Sequence, residues 1–142
     1  MRKKKNLKVG KIIKHWPGKT ITENDNNLFC LLTMNHHPIH LDKIFSKKSK
    51  FKKQIIVGTY VFSIVVGMTV RDISIIAVAN LGYDHIQHLK PVFIGDTIYA
   101  TSKIISERRS KSKKKRRIIG IETYAKNQKN EKVIIFKRHI LV

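Results

Sequence analysis

Ile55-Ile56-Val57-Gly58-Thr59-Tyr60-Val61-Phe62-Ser63-Ile64-Val65-Val66-Gly67-Met68-Thr69-Val70 carries no charge at all. At helical pitch this stretch makes a helix about 20 Å long that is apolar around most of its surface, and such a helix belongs in a core. It falls short of the roughly 18 uninterrupted apolar residues of a membrane span. After Arg71-Asp72 the pattern turns to strands: Ile75 to Ala79, Tyr83 to Leu89, Thr97 to Ile105, Ile118 to Ala125 and Val133 to Leu141. Asn127 to Asn130 reads as a hairpin loop and Arg108 to Arg117 as an exposed hairpin tip, so the strands they join are antiparallel. A buried helix followed by an antiparallel meander predicts an α+β domain in which the sheet wraps the helix. Gly67 is expected to permit close approach of that sheet, and Gly58 to sit where free N–H groups of the first turn point outward.

Upstream, Val9 to Trp16 reads as a short strand closed by the Pro17-Gly18 turn. Thr22 and Asp25 form an N-cap pair for a helix that runs out near Met34, with Leu28, Leu31 and Leu32 as its apolar stripe and Cys30 as an inert core residue. Then comes Thr33-Met34-Asn35-His36-His37-Pro38-Ile39-His40-Leu41-Asp42, which packs three histidines, an asparagine and an aspartate around one proline. Pro38 pushes His37 out of the helical region, which predicts a loop or short extended piece facing a cleft shared with Val57-Gly58-Thr59. His36 and His37 read as loop residues. Asp42 either orients His40 or caps the next segment. The irregular spacing of the histidines argues against a metal. His85 and His88 are expected on opposite sides of one strand, without a role.

With 142 residues and no internal repeat, residues 1–142 are expected to form a single domain, with residues 1–8 a basic N-terminus. The net charge of +21 attracts any polyanion. The basic residues are mostly Lys and accompany abundant Ile and Asn, as AT-rich coding produces, so much of the charge carries no functional demand. Aromatics near the basic residues are sparse, which limits nucleic acid to non-specific attraction. Lys47, Lys48, Lys50, Lys52 and Lys53, interrupted by Phe51, read either as a solvated loop or as a basic lip for the phosphates of an anionic substrate. Cys30, the single cysteine, excludes an intrachain disulfide and fits a reducing compartment. Met1 to Asn6 is basic with no apolar segment behind it, so a cytoplasmic protein is expected, with no membrane association.

These residues resemble the MaoC-like hydratases and dehydratases of the hot-dog fold. The family pattern T-x-x-D matches Thr22 to Asp25, the pattern L-T-x-D-x-N-P-x-H-x-D matches Leu32 to Asp42, and F-x-x-x-I-x-x-G matches Phe51 to Gly58. The likeness continues through Val78 to Asp84 and Pro91 to Thr97, and is greatest to the mesaconyl-CoA and itaconyl-CoA hydratase branch. The resemblance implies addition or removal of water across the α,β double bond of an enoyl-CoA thioester, needing no cofactor or metal, in a homodimer that binds acyl-CoA between its units. It implies that His40 is catalytic, with substrate contacts at Pro38, Asp42, Val57, Gly58 and Thr59. Asn35 stands where the broader family has aspartate, and His37 where it has asparagine. An amide cannot exchange protons as a carboxyl group does, so Asn35 is expected to orient water or the thioester. Two other readings stay open: a polyanion-binding protein without catalysis, and an acyl-CoA thioesterase using a carboxylate such as Asp25 or Asp42.

Overall fold

A computed structural model of the chain describes residues 7–113 and 115–142. Residues 1–6 of the basic N-terminus, and Lys114 in the basic tip, lie outside the described residues. The order of elements is β1 (Ile12–Lys14), β2 (Lys19–Thr20), α1 (Glu23–Thr33), α2 (Pro38–Leu41), α3 (Lys43–Lys48), α4 (Gly58–Met68), a 3-10 turn (Ser74–Ile76), β3 (Ala79–His88), β4 (Thr97–Arg109), β5 (Arg117–Lys126) and β6 (Lys132–Leu141). The main sheet has the order β1-β4-β5-β6-β3, every pairing antiparallel, and β2 adds to the start of β4.

The sheet wraps α4 as the pattern predicted. Val61 and Val65 are buried against Ile98 and Ala100 of β4, Ala125 of β5, and Ile134 and Phe136 of β6. A second cluster of Leu7, Ile73, Ile104, Ile119, Ile121 and Ile140 continues the apolar interior. Burial of α4 is one-sided, however. Thr59, Ser63 and Gly67, four residues apart, stay exposed. A Cβ built on Gly67 meets nothing within 4 Å, so this glycine serves no close approach to the sheet.

Several local expectations are corrected. The stripe Leu28, Leu31 and Leu32 faces outward, and α1 instead turns Asn26 and Cys30 inward and stacks Phe29 on Tyr60 of α4 at 4.9 Å. A polar residue is tolerated there because both the nitrogen and the oxygen of the Asn26 amide are hydrogen-bonded. Its capping box does form, with Thr22 Oγ1 accepting from Asp25 N–H at 3.2 Å and the Asp25 carboxylate from Thr22 N–H at 2.9 Å. Ile75 and Ile76 lie in the 3-10 turn, and the strand starts only at Ala79. The stretch Val9 to Trp16 yields three strand residues, Ile12–Lys14, flanked by backbone bonds to β4 from Gly10, at φ +88°, and from His15. Strict alternation in β3 is broken by register shifts after Asn80 and after Asp84, the latter with His85 at φ 52°.

Candidate active site

The histidine segment is helical, not extended. His37 keeps the extended conformation that Pro38 enforces (φ −64°, ψ 127°), and its Nδ1 accepts from Ile39 N–H at 3.1 Å, capping α2. Pro38 occupies the first turn, where its missing N–H costs nothing. The Asp42 carboxylate accepts from Ile44 and Phe45 N–H at 2.8 and 2.9 Å, so it caps α3. The first of the lysines thus sit on a helix and not on a loop, since α3 runs to Lys48.

Asn26 ties this segment to α4. Its Nδ2 donates to the His40 carbonyl at 3.1 Å and its Oδ1 accepts from Val57 N–H at 3.1 Å. Gln54 Nε2 also donates to the His40 carbonyl, at 3.1 Å. Both amides are buried, so each bond is made away from competing water. The His40 ring is oriented by Nδ1, which lies 2.9 Å from the Ile55 carbonyl. A carbonyl only accepts, so Nδ1 carries a proton, and in the neutral ring the lone pair is on Nε2.

The His40 side chain shares a cavity of about 280 Å³ with Gly58, Val61, His88, Lys90 and Pro91. Gly58 opens α4. Val57 supplies no side-chain cap, and its carbonyl takes the N–H groups of Tyr60 and Val61 at 3.0 and 3.1 Å. The N–H groups of Gly58 and Thr59 therefore stand at the positive end of the helix with no intrahelical acceptor. His88, at the end of β3, lies against Gly58 itself: a Cβ there would be 3.0 Å from its Cε1 and Nε2. Partial desolvation where its ring packs on Gly58 lowers the His88 pKa from the usual histidine value, although the residue as a whole is exposed.

Of the residues singled out in the sequence, the cavity brings together His40 and Gly58. Val57 is the buried N-cap residue and Thr59 the exposed second residue of α4. Asn35, Pro38 and Asp42 do not line this cavity in the single protomer. Asn35 is fixed through its backbone N–H to the Cys30 carbonyl at 3.0 Å. Sequence reasoning missed Asn26, Gln54 and His88. Asn26 left one signal, a polar side chain four residues before Cys30 on the inward face of α1.

Across the bridge Ile55–Phe93 lies a second cavity of about 450 Å³, lined by Lys43, Lys47, Lys52, Lys53, Phe93 and Ile94 among others. Lys53 Nζ stands 4.1 Å from the Phe93 ring centroid, and Lys43 pairs with Glu23 at 3.0 Å. Among the described residues, no three His, Cys, Asp or Glu side chains gather as a metal would require, and no helix is long and apolar enough to cross a membrane.

Comparison with known proteins follows the same lines. The family described as MaoC like domain matches residues 4–127. A β-methylmalyl-CoA dehydratase from Chloroflexus aurantiacus is 33% identical over 96% of this chain and 38% of its own length. A mesaconyl-CoA hydratase from Cereibacter sphaeroides is 31% identical over 95% of this chain and 39% of its own. The chain thus spans about two fifths of the length of these curated relatives. Among solved structures, the monoamine oxidase regulatory protein from Archaeoglobus fulgius superposes with a TM-score of 0.87 at 32% identity, covering 96% of this chain and 90% of that one. A conserved hypothetical protein from Mycobacterium tuberculosis, described as a double hot-dog fold, superposes at 0.86 with 17% identity over 96% of this chain and 42% of that one. The architecture of one helix wrapped by an antiparallel sheet is the hot-dog fold.

Proposed function

We propose, for a chain that belongs to the MaoC-like domain family, the reversible hydration of an enoyl-CoA thioester. The observation that carries this reading is the fixed tautomer of His40, which leaves Nε2 unengaged in a residue that lines one cavity with Gly58, at the uncapped N-terminus of α4. Nε2 takes a proton from water as the water oxygen bonds to C3 of the enoyl group. The π pair of C2=C3 moves toward C1, and the thioester oxygen, now an enolate, is held by the N–H groups of Gly58 and Thr59. The imidazolium returns its proton to C2, which completes the addition, and dehydration is the reverse. Asn35 has an amide where an acid would stand, so His40 carries both proton transfers, and Asn35, which does not line the cavity of the single protomer, positions water or the thioester only in the substrate-bound assembly.

Branched dicarboxylic thioesters such as mesaconyl-CoA and itaconyl-CoA are the proposed substrate class, supported by the names of the matched relatives. The lysine-lined cavity beside Gln54 suits the phosphates of the CoA moiety. Residues 1–142 act in this reading as one hot-dog unit in a C2 homodimer. The outer edge of β3 has no strand partner among the described residues, and Val78, Leu81, Ile86 and Leu89, within it or next to its ends, are exposed. A cytoplasmic setting suits the reduced, buried thiol of Cys30.

The test is purified protein with a panel of mesaconyl-, itaconyl- and crotonyl-CoA, following loss of conjugation by ultraviolet absorbance and release of free thiol in parallel. Hydration without thiol release is expected. Thiol release without hydration overturns the reading in favour of a thioesterase, and inertness toward every thioester overturns it in favour of simple polyanion binding.

A further inference from the structure

The cavity at the N-terminal end of α4 holds a second imidazole besides His40. His88 ends β3 in register with Ile134 of β6, and the next residue is anchored by Leu89 N–H to the Val133 carbonyl at 2.9 Å. The base of its side chain is therefore set by the sheet, while the ring reaches the first residue of α4. Gly58 is what permits this approach, since any side chain there would meet the ring at 3.0 Å. Among the described residues, no hydrogen bond or ion pair engages the ring nitrogens of His88, unlike those of His15, His37, His40 and His139. An imidazole with uncommitted nitrogens, packed on the first residue of α4 and lining the same cavity as His40, is placed to meet the ligand.

We propose that His88 donates a ring N–H to the thioester oxygen, as the side-chain member of the cradle that Gly58 and Thr59 N–H groups begin. This rests on the hydratase reading above. A second base is the weaker account, because the ring packs on the first residue of α4, whose positive end, together with partial desolvation, disfavours the protonated form that a base must reach. A neutral imidazole still has one N–H to give, and a donor that holds no net charge strengthens its bond as the oxygen gains charge in the transition state. The division of labour follows from the two partners: His40 has its Nδ1–H engaged by a carbonyl and offers a lone pair, whereas His88 has both nitrogens open and offers a proton.

Two substitutions separate a donor from a space-filler. His88→Phe keeps the ring volume and removes the donor, and His88→Gln keeps a donor on a different frame. Loss of one preorganised donor predicts a fall in kcat of about 10²-fold for His88→Phe with KM nearly unchanged, and substantial recovery in His88→Gln. The same donor is read without turnover from the infrared carbonyl band of crotonyl-CoA bound to protein carrying His40→Ala. Adding His88→Phe to that background is expected to reverse part of the red shift, and adding His88→Gln to preserve it. An unchanged band and an unchanged kcat in His88→Phe overturn the assignment. If the wild type hydrates no thioester, or His40→Ala turns over at full rate, the failure belongs to the hydratase reading. The band shift still decides for or against His88 as a carbonyl donor, and absence of any bound thioester overturns both.

Discussion

The two ends of α4 each carry a histidine held by hydrogen bonds, and they differ in what remains available. Near the C-terminal end, His15 Nδ1 lies 2.9 Å from the Asp72 carboxylate, His15 Nε2 lies 2.8 Å from Ser102 Oγ, and Ser102 Oγ lies 2.7 Å from Thr123 Oγ1. Those are the residue types and the connectivity of a nucleophilic triad. Yet Ser102 is 0% exposed, His15 only 5%, and the neighbouring depression that Asp72 helps to line is otherwise walled by Leu7, Lys11, Ile12 and Ile13. At the N-terminal end the His40 ring makes one hydrogen bond, through Nδ1, which leaves Nε2 uncommitted in a residue that lines a cavity. Connectivity alone does not make a site: a lone pair left over and a path for the substrate do.

The sharpest way to break this comparison is to truncate each histidine. His40→Ala is expected to lower kcat by about 10²–10⁴-fold with little loss of folding stability. His15→Ala and Ser102→Ala are expected to leave kcat within about twofold and to cost about 1–3 kcal/mol of unfolding free energy, the penalty of unsatisfied buried partners. Steady-state kinetics and urea unfolding on the same preparations decide it. Loss of turnover in Ser102→Ala at undiminished stability would invert the assignment of the two ends.

Asn26→Ala tests the link between α1, the His40 segment and α4. It strips one donor from the His40 carbonyl and the acceptor from Val57 N–H, so both readouts should move: about 1–3 kcal/mol in stability, and a fall in kcat from misplacement of His40. A smaller effect is expected at Asn35, whose side chain does not line the cavity. Asn35→Ala should cost less than about tenfold in kcat, and Asn35→Asp should be tolerated. A loss in Asn35→Ala equal to that in His40→Ala would show that substrate or a partner draws Asn35 into the reacting centre.

The smallest effect concerns pH. Partial desolvation lowers the pKa of the otherwise exposed His88 in the folded protein, an effect that solvent screening keeps small, so as pH falls below about 6.5 the unfolded chain takes up this proton first. Stability is therefore complete above that pH and declines as pH falls toward the folded value. In His88→Gln the decline of unfolding temperature between pH 7 and 5 should be shallower, and an identical slope would remove this contribution.

Much of the fold was legible because apolar periodicity and turn chemistry are local signals. The chargeless run Ile55 to Val70, the capping pair Thr22 and Asp25, and the loop Asn127 to Asn130 each declare an element without reference to the rest of the chain. The misses came where long-range pairing decides. Ile75 and Ile76 have strand composition, but Ile73 is drawn into the interior and the chain coils into a 3-10 turn before β3 can pair with β6. Leu28, Leu31 and Leu32 satisfy helical spacing, but which face of α1 turns inward was settled by Asn26, whose two backbone partners lie 14 and 31 residues away. In the candidate site, His40 stood out through its motif, whereas His88 and Gln54 reach the same place only through the register of β3 and the bridge Ile55–Phe93.

The way the His40 segment is attached sets the order in which the molecule fails. No residue of α2 is buried, only Ser46 of α3 is, and neither apolar cluster draws on either helix. The segment is moored by a few polar ties, chiefly the Asn26 and Gln54 amides on the His40 carbonyl and the Nδ1 bond to Ile55. Such a piece opens as a unit at a free energy well below that of the sheet. In rising urea, enzymatic competence is thus expected to vanish while far-ultraviolet circular dichroism still reports an intact sheet, and amides of residues 36–48 to exchange with solvent before those of β4 to β6.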